Sequence, residues 1–502
     1  MTSTSLLKIA ALLVLASAVA MVGCEGDQGP AGPAGPPGDD GTISQFTFVG
    51  NNGQACSHCH VNTVETVMNT AHTDAYEALD AESQENPYCL QCHTVGWDRP
   101  VAFGSDAWMT ATNPDVNGYD DYFGVAGDEA AARRMELAGV QCENCHGAMG
   151  PDFNDHRPIV NFQDIASHDP ENITEADITS TCYPCHSTQF EGPAGDFTGG
   201  YATSGHANAT GGNLEDFVAE FGRSSCAGCH TSEGFIAAND PAMATYDFGG
   251  EYNFIGCVTC HDPHAGLEDG GNIHQLRSLA DQSVIYIAPA FDVDDPPTMT
   301  GKGTGQLCAQ CHHARRDNAN VAGQIANGSG HMGPHGSPQM DTYIGAGCYE
   351  IPGYDYGNVD ARGGTHYTSS LLADGCVDCH MVRETVLHGE TSEFAFHNFR
   401  VEVSERCTPC HGESDETLVT DYQATIIAKL DALAQRFGFA DLAAFEDETT
   451  GWDSTAEGVE PWQRESAYAI YWVVNDGSYG VHNPNYIEAV LDNAIDYYDA
   501  ND

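Results

Sequence analysis

The chain has 502 residues, a length that accommodates two or three ordinary domains. It carries 73 acidic residues against 17 basic ones, which gives a formal net charge of −56. Like charge repels nucleic acids and anionic lipid headgroups, so both are excluded as partners, and cationic, metallic or salt-screened partners are expected.

The first 23 residues have the pattern of an export signal. Lys8 precedes an apolar run at 9–21, and Gly23 stands directly before Cys24. A small residue before such a cysteine is typical of bacterial lipoprotein signals, in which the cysteine becomes the acylated first residue of the mature chain. We therefore predict a signal peptide at 1–23 and a lipid anchor at Cys24. The alternative is an ordinary secreted precursor with an incidental cysteine. No later apolar stretch is long enough to span a bilayer.

A collagen-like segment follows the predicted anchor. Glycine recurs at every third position from Gly26 to Gly41, with prolines between. A triple helix needs many more repeats, so we predict that 24–44 is an extended stalk able to reach roughly 50 Å at about 3.1 Å per residue. Short trimerisation is the alternative interpretation.

Nine Cys-x-x-Cys-His motifs occur at irregular intervals between residues 56 and 411. Two thiols separated by two residues match the two vinyl groups on one edge of a porphyrin, and the next histidine then reaches the iron. Disulfides or zinc sites would leave nine adjacent histidines unexplained. The sequence therefore predicts nine c-type haems with iron. Their covalent attachment residues are Cys56, Cys59, Cys89, Cys92, Cys142, Cys145, Cys182, Cys185, Cys226, Cys229, Cys257, Cys260, Cys308, Cys311, Cys376, Cys379, Cys407 and Cys410, and the proximal ligands are His60, His93, His146, His186, His230, His261, His312, His380 and His411.

Nine haems in this stretch leave roughly 40 residues for each cofactor, too few for a conventional core around each one. We predict a mainly α fold with extensive irregular loops, in which porphyrins fill the interior of a cytochrome domain at 45–411. Short helical runs are expected at 61–79 and 214–221. Amphipathic patterns at 413–437, 462–474 and 485–498 predict a C-terminal helical cap at 412–502.

Two features lie outside this scheme. Residues 113–121 read NPDVNGYDD and resemble a calcium-binding turn in the spacing of their oxygen ligands, although the full twelve-residue pattern is absent and an Asp-Asn-Gly turn is the alternative. Cys348 remains after the motif cysteines and Cys24 are assigned, and we expect it to be a buried free thiol.

The sixth coordination position of each iron separates electron relay from catalysis. A second histidine closes that position, whereas an open position binds substrate. Besides the nine proximal residues, the chain has 14 of its 23 histidines available. His72, His206 and His264 stand close to a motif in helix or turn sequence, and we predict them as distal ligands.

Local motifs in the second half of the chain resemble the broad multihaem cytochrome family that includes pentahaem nitrite reductases, octahaem hydroxylamine-oxidising enzymes and electron carriers. The stretches are PHGSPQ at 334–339, His366 ahead of GCVDCHM at 375–381, FHNF at 396–399 and GVHNP at 480–484. In relatives, a histidine in such places commonly takes the sixth position of a haem. The resemblance thus implies His335, His366, His397 and His482 as distal ligands.

His156 and His168 complete a set of nine distal candidates, and His274 and His331 are alternatives to them. For each candidate the competing interpretation is a solvated loop histidine. Arg315 and Arg316, together with His331, could form an anion pocket. Pairing of the two arginines with haem propionates is the favoured interpretation.

Three functions fit these features. The leading hypothesis is a nine-haem electron conduit of the cell envelope or the extracellular space. The protein would be an exported outer-membrane lipoprotein, located at the cell surface or facing the periplasm. It would pass electrons between redox donor and acceptor proteins or to extracellular metal. The second is a reductase or oxidase of small nitrogen or sulfur compounds, such as nitrite or hydroxylamine, with one open haem. The related nitrite reductases usually carry a Lys-ligated catalytic haem. This sequence contains no Cys-x-x-Cys-Lys motif that would bind such a haem. The third is an oligomer, the subunit of a cytochrome filament.

Overall fold

The structure is a computed structural model that describes residues 48–51, 56–58, 60–97, 117–146, 182–186, 201, 203–207, 224–239, 255–265, 272, 274–286, 294–358, 362–387, 390–447 and 449–502. All of these belong to one unit, Phe46–Asp502, and the unit before it is Met1–Gln45. Several predictions lie outside the described residues: the signal, Cys24, the stalk, the helix at 214–221, Cys59, His156 and His168.

Helices dominate the described part of the chain. In chain order they are α1 Val61–Val67, α2 Pro87–His93, α3 Tyr119–Tyr122, α4 Asp128–Glu136, α5 Cys142–His146, α6 Tyr183–His186, α7 Ser224–His230, α8 Ser232–Asn239, α9 Cys257–Cys260, α10 Gln306–Ala309, α11 Asn318–Asn327, α12 Gln339–Ile344, α13 Gly364–Thr368, α14 Cys376–His380, α15 Val403–Arg406, α16 Thr408–His411, α17 Glu416–Arg436, α18 Leu442–Phe445, α19 Pro461–Asp476 and α20 Pro484–Asn501. Most of them are only one or two turns long. The predicted mainly α fold with irregular loops is confirmed.

Two antiparallel strand pairs complete the described secondary structure. β1 (Gln282–Ser283) pairs with β2 (Thr298–Met299), and β3 (Val382–Leu387) forms a hairpin with β4 (Glu390–Ala395). In the hairpin, Val382 is opposite Ala395 and Leu387 is opposite Glu390. β3 begins two residues after the eighth motif, so the hairpin leads the chain away from that site and back to the segment that carries His397.

The three helices predicted for the C-terminal cap are present as α17, α19 and α20. Asp415 accepts a hydrogen bond from the backbone N–H of Thr417 at the start of α17, and Asn483 caps α20 ahead of a proline at its first position. These are favoured N-terminal signals because they satisfy backbone N–H groups that have no partner within the helix. α18 was not predicted, since its four residues are too few to show helical periodicity.

The cap has a conventional apolar core. Ile426, Leu430, Ile470, Ile487 and Leu491 are fully buried within one cluster. The same cluster takes in Val321 and Ile325 of α11, and the indole Nε1 of Trp472 donates to Thr342 Oγ1 at 3.0 Å. The cap therefore packs directly on the segment that follows the seventh motif. None of the described helices is long and apolar enough to cross a membrane.

The helix predicted at 61–79 is shorter than expected. α1 ends at Val67, and only a 3₁₀ turn at Thr73–Ala75 follows. The hydroxyl groups of Thr70 and Thr73 both donate to the Val67 carbonyl oxygen at 2.8 Å. Threonine side chains that bond to the backbone in this way compete with helix continuation. The periodicity at 61–79 therefore overstated the length of the helix.

Two buried groups stand out in the cap region. Cys348 is a free thiol with no exposed surface inside the cap cluster, as expected. Asp341 of α12 is also fully buried, and its Oδ2 accepts from the backbone N–H of Ala314 at 2.7 Å. Burial, reinforced by the nearby charge of Asp476, raises the pKa of Asp341 to about 7. The folded protein thus holds this proton more tightly than the unfolded chain does.

That difference predicts a pH-dependent stability. The contribution of Asp341 is fully present below the unfolded carboxyl pKa of about 4 and is lost as the pH rises through about 7. We expect Asp341→Asn, which cannot ionise, to raise the apparent melting temperature at pH 8 by roughly 2–5 °C and to change it little at pH 5. Asp421→Asn on the exposed face of α17 is the control. An equal effect of Asp341→Asn at both pH values would contradict the assignment.

Candidate haem-binding sites

Each described motif forms about one turn of helix. The backbone N–H of the motif histidine donates to the carbonyl of the first cysteine at 2.9 Å for His60, 3.0 Å for His186 and 2.8 Å for His411. One α-turn places residues four positions apart on the same side of the backbone. Local sequence therefore suffices to gather the thiols and imidazole of a motif, and this explains why the motifs lie on short helices.

Seven of the proximal histidines face a second histidine across a gap. In every pair the second residue is one of the predicted distal candidates. The distances between ring centroids are 6.1 Å for His72 and His186, 6.1 Å for His146 and His264, 5.9 Å for His206 and His312, 6.1 Å for His230 and His335, 6.2 Å for His261 and His397, 6.3 Å for His366 and His411, and 6.2 Å for His380 and His482.

This separation fits an iron held between two imidazoles. Two metal–nitrogen bonds of about 2 Å, plus about 1.1 Å from each nitrogen to its ring centre, add to about 6.2 Å. Direct stacking of imidazoles would bring the rings closer, to van der Waals contact. The residues present thus fit haem at these positions, with one histidine on each side of the porphyrin plane.

Most of the paired imidazoles are held in the neutral form. Burial lowers the pKa of His72, His264 and His366, and it lowers the pKa of His186 and His206 to about 4. A neutral imidazole has a free nitrogen lone pair, which a metal requires and a protonated ring lacks. The lowered pKa favours the form of these side chains that can act as a ligand, although His186 and His264 have exposed surface in this structure.

Hydrogen bonds donated by Nδ1–H orient several of the imidazole rings. His93 Nδ1 lies 2.5 Å from the Ala75 carbonyl oxygen. The corresponding contacts are 2.7 Å from His261 to His274, 2.9 Å from His366 to Val481 and 3.0 Å from His380 to Phe399, each to a backbone carbonyl. A carbonyl accepts only from a protonated Nδ1, so it leaves Nε2 as the coordinating nitrogen.

The C-terminal cap contributes directly to two of the paired sites. The loop between α19 and α20 carries His482, which faces His380, and Val481, whose carbonyl orients His366. Gln339 connects the cap to a third site. Its Oε1 lies 3.3 Å from His312 Nδ1, and its Nε2 donates to the carbonyls at the end of α19. The cap thus fixes ligands as well as covering them.

Asp476 is the residue at this site that sequence reasoning missed. It ends α19, its side chain is completely buried, and its Oδ1 lies 2.8 Å from His482 Nδ1. A sequence signal did exist, because a carboxylate in the last turn of a helix meets the negative end of the helix dipole and is unfavourable there. Burial is the largest single influence and lowers the pKa of His482, but the charge and the hydrogen bond of Asp476, with a smaller contribution from Cys376, together raise it.

Motif cysteines from different sites lie against one another. Five pairs are within hydrogen-bonding reach, and three further pairs or groups are close enough to interact electrostatically. The five are Cys56 with Cys142, Cys92 with Cys185, Cys182 with Cys257, Cys229 with Cys311, and Cys308 with Cys376. The three are Cys145 with Cys182 and Cys185, Cys260 with Cys311, and Cys379 with Cys407. The five contacts and the three longer-range interactions together connect all nine motifs.

The two arginines after the seventh motif have different environments. Arg316 is bound into its own loop, since it donates to the carbonyl oxygens of His331 and Gly333 and to Gln324 Oε1. The Nε of Arg315 is buried without a hydrogen-bond partner among the described residues, and its charge lowers the pKa of His230 and His335 after the larger effect of burial. A haem propionate beside this pair of histidines would provide a hydrogen-bond acceptor for the Nε of Arg315.

The remaining candidates are not described in a facing pair or lie outside the described residues. The backbone carbonyls of His274 and His331 accept hydrogen bonds from His261 and Arg316. Of the possible calcium turn, only 117–121 is described. There, Asn117 adopts a left-handed backbone conformation with φ 66°, its side-chain oxygen accepts from Tyr122, and its N–H donates to Asp121.

Two segments of the chain match known cytochrome families. Residues 362–502 match the cytochrome c552 family, and residues 55–117 match the family of cytochrome c554 and c-prime. The first match includes the eighth and ninth motifs and the cap, and the second includes the first two motifs. The resemblance to multihaem c-type cytochromes is confirmed, and the cofactor is c-type haem with iron. A comparison with curated protein sequences gave no match.

Three solved structures show some similarity. Outer cell wall cytochrome OcwA is 16% identical with a TM-score of 0.47, and the match covers 90% of this chain and 99% of that one. An undecahaem S-layer cytochrome of Carboxydothermus ferrireducens is 17% identical with a TM-score of 0.47, covering 91% and 70%. The catalytic subunit of a Desulfovibrio desulfuricans cytochrome c nitrite reductase is 14% identical with a TM-score of 0.28, covering 55% and 64%.

The facing pairs make a specific spectroscopic prediction. His264→Ala should open the sixth position opposite His146 and convert one haem equivalent from low-spin to high-spin ferric iron. Electron paramagnetic resonance of the oxidised protein measures this conversion. His331→Ala is the matched control, because His331 is exposed and uses its backbone carbonyl. The same high-spin signal in both variants, or in neither, would contradict the pairing.

Proposed function

We propose that the chain is a nine-haem electron conduit whose irons are each held between two histidines. The observation that carries the proposal is the set of seven facing histidine pairs, together with the contacts that connect the nine motifs. When bound, haem supplies reversible one-electron chemistry between ferric and ferrous iron. Such a function requires no substrate pocket, only cofactors held close together in fixed orientations.

The chain's part in this function is positioning. The motif turns fix one face of each porphyrin, and histidines from other segments fix the other face. His156 and His168 are the proposed distal ligands of the sites at His60 and His93. They complete the set of nine, and both lie outside the described residues. Carbonyl acceptors at Ala75, His274, Val481 and Phe399 hold the rings so that coordination does not change between oxidation states.

The thiol contacts support a particular order of transfer. Numbered along the chain, the sites form a line 1–3–4–6–7–8–9, with site 2 beside site 4 and site 5 beside site 7. The cysteines would attach at the porphyrin edge, so contact between thiols from two motifs would place two haem edges side by side. The links 3–4, 6–7 and 8–9 rest on longer-range interactions between the thiols. Transfer would then run from the N-terminal sites to site 9, where Val481 of the cap orients His366, with two side branches.

The competing function is reduction or oxidation of a small nitrogen or sulfur compound. That chemistry requires an iron with an open sixth position. Seven sites have a histidine on each side. An open position would therefore have to belong to the site at His60 or at His93. The closed faces favour electron relay over catalysis.

The proposed location is outside the cytoplasm. Haem attachment to these motifs takes place after export, and the N-terminal pattern supports an export signal with a lipid anchor at Cys24 and a stalk at 24–44. The strongly acidic composition would keep the protein away from anionic headgroups and favour cationic or metallic acceptors. The partners would be redox proteins of the envelope or extracellular metal.

The conduit is tested by measuring spin state and catalysis on the same sample. We expect the oxidised wild-type protein to show only low-spin ferric haem. Film voltammetry should give reversible one-electron waves, with no catalytic current on adding nitrite, hydroxylamine or sulfite. The reason is that closed irons exchange electrons and do not bind substrate. A high-spin signal that shifts with nitrite, accompanied by catalytic current, would establish the enzyme instead.

The anchor is tested separately. Cys24→Ser removes the thiol that would carry the lipid, so we expect the protein to move from the membrane fraction to the soluble fraction with its haems intact. Cell fractionation followed by haem staining measures this distribution. Cys348→Ser is a control, because it exchanges a cysteine in the folded domain. Membrane association that survives Cys24→Ser would rule out the acyl anchor.

A further inference from the structure

Asp476 forms a fixed carboxylate contact behind one of the proposed iron ligands. Its Oδ1 lies 2.8 Å from His482 Nδ1, and its Oδ2 accepts from the backbone N–H of Ser478 at 3.2 Å and from the Ser478 hydroxyl. The His482 backbone N–H in turn donates to Ser478 Oγ at 3.2 Å. The Asp476 side chain has no exposed surface, so solvent cannot compete for these bonds.

This contact differs from those behind other ligands. For five other proposed ligands the structure describes an Nδ1 contact, and each acceptor is neutral: the backbone carbonyls for His93, His261, His366 and His380, and the Gln339 amide oxygen for His312. His482 instead meets a carboxylate. Hydrogen bonds to an ionised acceptor are about twice as strong as neutral ones, and burial leaves the charge unscreened by salt.

We propose that Asp476 is a positioning residue that lowers the reduction potential of the haem bound at Cys376 and Cys379. By drawing the Nδ1 proton of His482 toward its carboxylate, Asp476 makes the coordinating Nε2 a stronger electron donor. A stronger donor, with a negative charge nearby, stabilises ferric iron more than ferrous iron. No bond is made or broken to iron, and no proton leaves the pair.

The position of site 8 in the array suggests what a lowered reduction potential would do. The inference rests on the proposed conduit, in which site 8 connects site 7 to site 9. Along that line, an electron moving between those two sites would pass through the haem for which His482 is a proposed ligand. Asp476 would therefore make site 8 the unfavourable intermediate step and so control the rate at which electrons reach or leave the end of the array under the cap.

The test compares Asp476→Asn with wild type by redox titration, with spectra that resolve individual haems. His482→Ala identifies the haem concerned, as the one that becomes high-spin. We expect Asp476→Asn to reduce the preference of that haem for the ferric state at least tenfold, a rise of 59 mV for a one-electron couple, and to leave the others within threefold. Asp453→Asn is the matched control: Asp453 is exposed and bonds to Thr455 two residues later.

Ser478→Ala decides the matter if Asp476→Asn fails to assemble its haems. Loss of the hydroxyl donor leaves more of the carboxylate charge on His482, so the same haem should move several-fold toward the ferric state, opposite in sign to the change in Asp476→Asn. Unchanged potentials in a folded Asp476→Asn, or in Ser478→Ala, would overturn the inference while leaving the conduit intact. If His482→Ala keeps every haem low-spin, His482 is not a ligand, and the inference fails with that assignment.

Discussion

Pairing of two histidines across a gap of about 6 Å is the constraint on which the structure depends. One member of each pair is fixed by a local helical turn, and the other comes from a distant segment. Six of the seven described pairs join positions more than 100 residues apart in the chain, as His72 and His186 do. Elsewhere in proteins such long-range contacts come from apolar cores. Under the proposed coordination, ligation and porphyrin packing would take that part in this chain, and the short helices would need little packing of their own.

The C-terminal cap, in contrast, is held together by a conventional apolar core, and it also contacts the histidine pairs. Its helices bury Ile426, Leu430, Ile487 and their neighbours in an ordinary apolar cluster. The loop between α19 and α20 then reaches back into the array with Val481 and His482. A stable helical core thus serves as the rigid base from which ligands are presented. Anchoring a site on rigid elements maintains its geometry when the iron changes oxidation state.

Electrostatics differ between the surface and the interior. The acidic residues outnumber basic ones more than fourfold, and exposed members such as Asp421 and Asp453 are screened by salt. Desolvation lowers the pKa of His186 and His206, which favours the neutral imidazole that coordination to a metal would require. Asp476 is one of the buried carboxylates, and it is compensated by His482 and Ser478. Under the proposed tuning by Asp476, one buried charge next to a ligand would influence an iron more than many exposed charges.

The sequence by itself determined the cofactor, the attachment residues and the mainly α character, because a Cys-x-x-Cys-His turn is local and amphipathic periodicity needs no partner. It also supplied the candidates, since all seven histidines facing a proximal ligand, from His72 to His482, were on the predicted list. It did not determine which candidate faces which motif, the order of the sites, the early end of α1 or the contact of Asp476 with His482. Those depend on segments that are remote in the chain and meet only after folding. Pairing of that kind leaves no periodic signal in one sequence, so only the tertiary structure decided it.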